Sequence, residues 1–83
     1  MEFIVYIIYS KSCNRYYIGQ TQNIENRLYR HNNSGSKSTK KAKDWELVYT
    51  EYFINRSLAV ARELEIKSKK SRVYINLLII NKG

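Results

Sequence analysis

Residues 16–32, YYIGQTQNIENRLYRHN, change character partway along. Tyr16–Gly19 is aromatic and β-branched, the chemistry of a strand, and Gly19 stands where glycine costs a strand stability and marks a close approach or a bulge. Asn23 then suits the N-cap of a helix reaching about His31. Ile24 and Leu28 form its apolar i, i+4 pair, with Arg27 and His31 as a second pair beside them. A strand therefore feeds directly into a helix.

Working outward, Phe3–Tyr9 (FIVYIIY) reads as a strand with at least one buried face. Ser10–Arg15 (SKSCNR) is small and polar, with Asn14 suited to a turn, so the two strands make a hairpin. Downstream, Asn32–Lys43 is a loop rich in Ser and Lys, carrying Lys37, Lys40, Lys41 and Lys43. Such a run either faces an anion or is simply solvated, and residue types alone leave both open. Trp45–Ile54 alternates as a third strand. Ser57 is a candidate cap for a second helix to about Lys70, with Val60, Ala61 and Leu64 expected on its inner face. Val73–Ile80 (VYINLLII) fits a strand or a short core helix.

The chain carries 15 Lys and Arg against seven Asp and Glu, a net charge of +8. That excess points to a polyanionic partner, because each neutralised phosphate releases counterions. Eighty-three residues suffice for one domain, residues 1–83, with a modest core. No apolar run approaches the roughly 20 residues a membrane span needs, so no membrane partner is expected. Met1-Glu2-Phe3 lacks the basic opening of a secretory signal, and Cys13 is the only cysteine, which together suggest a cytoplasmic setting.

Five polar positions attract attention. Tyr6 and Tyr17 lie on the two hairpin strands, Arg27 and His31 on one helix face, and Glu63 among basic residues on the later helix. Each has an ordinary explanation: packing for the tyrosines, solvation for Arg27, a partly buried or exposed spectator's place for His31, an ion pair with Arg62 or Lys67 for Glu63.

In combination, VYIIYS, YYIGQTQNIENRLYRHN and ARELEIKSKK resemble the GIY-YIG nuclease superfamily, in particular its short stand-alone bacterial branch. The resemblance runs from Phe3 to about Leu78. Its centre is Tyr17-Ile18-Gly19, Thr21, Asn23, Arg27-Leu28 and His31-Asn32, with Tyr6 upstream. One departure is plain: the family's Gly-Ile-Tyr is here Ile4-Val5-Tyr6, keeping the tyrosine and losing the glycine. Gln20 also stands where some relatives carry a lysine.

The resemblance implies an α+β fold, a small three-stranded antiparallel sheet flanked by helices. It implies a metal-dependent endonuclease acting on DNA, single-stranded or branched forms included, with Glu63 holding one Mg²⁺ or Mn²⁺. Glu63 is preferred over Glu65 because Arg62-Glu63 followed by Ile66-Lys67 matches the family's glutamate-bearing helix. Arg27 would stabilise phosphoryl charge, and Tyr17 would orient water or phosphate. Tyr6 would serve as general base, its pKa lowered by neighbouring cations from the ordinary ~10. His31, ordinarily near 6.5, would bond Tyr6 or relay its proton and is the chemically easier base. Gly19, the loop lysines, and Lys67, Lys69 and Lys70 would meet the nucleic acid. A catalytically silent binding module of the same fold is the rival, but it need not keep all five site positions. A basic adaptor for an acidic protein is a further one. Repair, recombination, defence and mobile-element trimming all stay open as biological roles.

Overall fold

β1 (Phe3–Ser10) is the centre of the sheet, and its sequence says why. Val5, Tyr6, Ile7 and Ile8 are all sealed from solvent, so the strand is covered on both faces and reads as a continuous apolar run. β2 (Arg15–Thr21) and β3 (Trp45–Phe53) flank it antiparallel, in the order β2-β1-β3. The computed structural model describes residues 2–33, 39 and 41–81. Three helices complete it: α1 (Ile24–Asn33), α2 (Arg56–Lys69) and α3 (Arg72–Asn81). The expected three-stranded α+β architecture is the one observed.

The hairpin closes through Asn14, whose φ of 54° is the left-handed conformation that asparagine tolerates. Its turn is tied to the start of β3 by Asp44, which accepts hydrogen bonds from Ser10 Oγ, Ser12 Oγ and Ser12 N. These bonds hold the Asp44 carboxyl below the usual carboxylate range, Ser10 contributing most.

The period of two along β1 divides the core. Val5 and Ile7 face α2 and α3, where Tyr49, Ala59, Ile66 and Ile75 join them. Tyr6 and Ile8 face the other way, against Trp45, Ala42, Ile24 and Leu28. The Ile24/Leu28 pair therefore does dock α1, and Asn23 caps it by accepting from Asn26 N at 3.0 Å.

Two expectations for the C-terminal half are corrected, and the alternative left open for its last segment is decided. The cap of α2 is Asn55, not Ser57: extended at φ −142°, it accepts from Leu58 N at 2.9 Å, and the helix starts at the first residue able to cap it. The inner face of α2 is not Val60, Ala61 and Leu64. Ala59 and Ile66 are buried and Glu63 lies between them, whereas Ala61 and Leu64 are exposed. Arg62 sets that rotation by pairing with Glu51 on β3 at 2.9 Å while also bonding Glu65 and the Tyr74 hydroxyl. Val73–Ile80 is helix, not strand, because Tyr74, Ile75, Leu78 and Ile79 fall on one helical face and pack on the core together.

Candidate active site

Tyr6 sits directly opposite Gly19 across the β1–β2 pair. A Cβ at position 19 would come within 2.6 Å of the Tyr6 hydroxyl and 2.8 Å of the ring carbon bearing it. Glycine is thus what lets the phenol lie flat over β2, and the close approach flagged by the sequence is that of a side chain. Gly19 itself is buried beneath the ring, so its visible task is seating Tyr6.

The Tyr6 hydroxyl lies 2.8 Å from His31 Nε2, delivered by the last turn of α1, and both residues are buried. His31 Nδ1 is 2.9 Å from Thr39 Oγ1. Thr39 is wholly buried, and its carbonyl accepts from the Trp45 indole N–H at 2.9 Å. Asn32 holds the Trp45 backbone from both sides, accepting from its N–H at 2.7 Å and donating to its carbonyl at 3.0 Å. With the phenol donating to Nε2, a neutral imidazole carries its proton on Nδ1 and donates it to Thr39.

Tyr17 completes a triangle, its ring centroid 6.4 Å from Tyr6 and 4.9 Å from His31. Burial pushes the Tyr6 phenol well above its ordinary pKa, helped by Tyr17 and the negative charge of Glu63, while Arg27 pulls the other way. The expectation of a lowered Tyr6 is therefore corrected for the protein alone: desolvation outweighs the nearby cation. His31 moves down, first through burial and then through Arg27 and Arg30, so it is neutral at physiological pH. The structure thus brings Tyr6, Tyr17 and His31 into direct contact, and the charges of Arg27 and Glu63 act on the Tyr6 phenol.

Glu63 is only 17% exposed and accepts from Lys67 Nζ at 2.6 Å, one turn on. Glu65 is 53% exposed and spent on Arg62. Of the two, Glu63 has the inward placement. Among the described residues no three His, Cys, Asp or Glu side chains cluster as a ready-made metal cage. A lone carboxylate completed by water and substrate oxygens is a donor set that suits a hard divalent cation such as Mg²⁺.

The basic candidates separate. Lys41 and Lys43 are exposed, as are Lys67, Lys69 and Lys70 at the end of α2, with the Lys69 ammonium 5.5 Å from the Tyr74 ring centre. Lys37 and Lys40 lie outside the described residues. A cleft of about 320 Å³, lined by Arg15, Tyr16, Tyr17, Ile18, Trp45 and Lys67, opens beside the triangle at the β2 edge. Thr39, Trp45 and Arg15 were not among the residues chosen from sequence. Thr39 leaves no mark there, being one polar residue in a polar loop, whereas the lone tryptophan beginning a strand is a signal that can be read.

The family model for the GIY-YIG catalytic domain matches residues 2–76. A UPF0213 protein of Staphylococcus haemolyticus is 45% identical over 65 residues, 77% of this chain and 78% of its own. Another from Natronomonas pharaonis is 41% identical over 73 residues, 80% of this chain and 86% of its own. The solution NMR structure of a UPF0213 protein from Bacillus halodurans superposes with a TM-score of 0.62 at 31% identity, covering 100% of this chain and 87% of that one. No helix among the described residues is long and apolar enough to cross a membrane. The chain belongs to the GIY-YIG family, whose catalytic domains are nucleases acting on nucleic acids and generally dependent on a divalent metal.

Proposed function

We propose that this protein is an endonuclease that hydrolyses phosphodiester bonds in DNA with Mg²⁺ or Mn²⁺, directed by strand structure more than by base sequence. The observation that carries the reading is the buried Tyr6–His31 hydrogen bond, seated on Gly19 and within the fields of Arg27 and Glu63. A phenol and an imidazole held this way form a proton path, and buried proton paths beside opposed charges are features of reacting sites.

Glu63 would hold the cation, which supplies Lewis-acid polarisation of the scissile phosphate and stabilises the leaving oxygen. The chain's own groups do the rest. Tyr6 takes a proton from the attacking water as its own phenolic proton passes to His31 Nε2, so the raised phenol never has to ionise in advance. His31 is the proper terminus because it is neutral, and Thr39 keeps Nε2 free to accept by holding the Nδ1 proton. Arg27 presents a fixed cation to the charge growing on the phosphoryl oxygens. Tyr17 orients water or phosphate from the third corner of the triangle. Lys41 and Lys43 on the loop and Lys69 on α2 add long-range attraction for flanking phosphates. A chain with one cysteine suits the reducing cytoplasm we propose as its setting.

The decisive experiment is a cleavage screen over single-stranded, duplex, flap and junction DNA with Mg²⁺ or Mn²⁺, and with Glu63→Ala as control. Cutting is expected for the parent and none for the variant. A parent that cuts nothing, or a variant that cuts as well as the parent, overturns the reading.

A further inference from the structure

The cleft beside Tyr17 does not end at the sheet edge. It shares Arg15, Tyr16, Ile18 and Lys67 with a second groove of about 270 Å³ that continues to the junction of α2 and α3. Along β2, Tyr17 points to the α1 face of the sheet, while Tyr16 and Ile18 point to the opposite, α2 face. The two grooves together make one trench that rounds the exposed edge strand from the catalytic side to the back of the molecule.

Its chemistry is that of a backbone track. Arg15, Lys67, Lys70 and Arg72 line the second groove with no acidic residue among its lining, over an apolar floor that includes Ile66 and Ile75. Arg15 and Lys70 are exposed and make no ion pair among the described residues, so both are free to meet a phosphate. Bases find less to read. The Tyr16 ring is covered by Tyr9 at 4.8 Å and by the Arg72 guanidinium at 5.1 Å, so it offers no open stacking platform.

Shape then selects the strand form. The whole molecule measures 31 × 29 × 23 Å, and the trench turns around a sheet edge within that span. Duplex DNA has a persistence length of about 50 nm and resists such a turn, whereas a single strand follows it easily. We infer that the trench from Tyr17 past Arg15 to Lys70 and Arg72 carries the phosphodiester backbone of a single-stranded segment leading away from the scissile bond. This rests on the nuclease reading for what happens at Tyr17, though binding along the trench is measurable without it.

The test is fluorescence anisotropy with a labelled oligothymidylate of about 20 nucleotides and a duplex of equal length. EDTA in the buffer makes it report binding alone. The double variant Arg15→Ala/Lys70→Ala is expected to lose at least ~10-fold in affinity for the single strand. Its slope of log K against log salt should fall by about 1.4, two contacts at about 0.7 each. Duplex affinity should change less than about twofold. Arg56→Ala, at the opposite end of α2, should leave single-strand binding within about twofold. An unchanged double variant, equal losses on duplex and single strand, or an equal loss per charge at Arg56 overturns the trench. A parent that never cleaves with Mg²⁺, yet shows the expected binding losses, sinks the nuclease and leaves the trench standing. Thermal melting of each variant checks that the fold is intact.

Discussion

The two faces of the sheet solve different problems with the same strand. On the α2/α3 face, Val5 and Ile7 meet Tyr49, Ala59, Ile66 and Ile75 in a contact held by apolar burial. On the α1 face, Tyr6 meets His31, Thr39 and Trp45, and the contact is a relay of hydrogen bonds through buried polar atoms. Among the described residues no buried side-chain polar atom lacks a partner, so the polar face is fully satisfied. An apolar face tolerates small shifts of its members, but a relay fails when one distance opens. Substitutions within the two packed contacts should therefore separate, loss of chemistry from the relay and loss of stability from the apolar cluster, with Glu63 the one catalytic candidate carried by a helix of the apolar face.

The sharpest way to break that division is Tyr6→Phe, which removes one oxygen and keeps the ring over Gly19. Turnover of DNA is expected to fall by ~100- to 10,000-fold, the usual worth of a positioned proton-transfer group. The melting temperature should move by only a few degrees, since about one hydrogen bond is lost. A variant that cuts normally would make the phenol a packing residue. The mirror experiment is Ile66→Ala. It should cost about 2–5 kcal/mol of stability, through lost burial and the cavity left behind. In a domain of this size that lowers Tm by roughly 10 °C or more. Turnover per folded molecule, measured well below the transition, should stay within a few-fold. A tenfold fall instead would mean that Ile66 also fixes the position of Glu63, three residues before it, and that the faces are coupled.

How much of this was readable beforehand follows the same division. The hairpin, α1 and β3 were legible because local chemistry and tertiary need agree there: β-branched runs, a turn asparagine, an asparagine cap. Gly19 was legible as an anomaly, and its cause needed the cross-strand register. The phase of α2 was not legible, since its more apolar stripe, Val60 and Leu64, loses to a rotation fixed by the Arg62–Glu51 pair 11 residues apart. The same rotation turns Glu63 inward, so the local misreading concealed support for the site that the family resemblance had already named. The C-terminal run was ambiguous because β-branched residues favour strands locally, while their spacing at 74, 75, 78 and 79 suits a helix docked on the core. Thr39 was invisible for a simpler reason. Its partners, His31 and Trp45, reach it only after the chain has folded.

Thr39 also gives the subtlest prediction. Valine keeps its shape and removes its hydroxyl, leaving the His31 Nδ1 proton with no acceptor from that side chain. The imidazole is then free to carry its proton on Nε2, where it cannot accept from Tyr6. Turnover should fall about tenfold with KM for DNA unchanged, because Thr39 acts through His31 and not on substrate. The pH profile supplies a readout that mere loosening would not. In the parent, His31 must be neutral to accept a proton, and its pKa is depressed, so turnover should rise with pH through a midpoint below 6.5 and be flat around neutrality. In Thr39→Val that midpoint should move, because the charged and neutral forms of the ring lose a partner to different extents. Thr39→Ser, which restores an oxygen, should recover both rate and midpoint. Recovery by serine of stability but not of rate would show that Thr39 merely fills space, and the relay would have to end at His31.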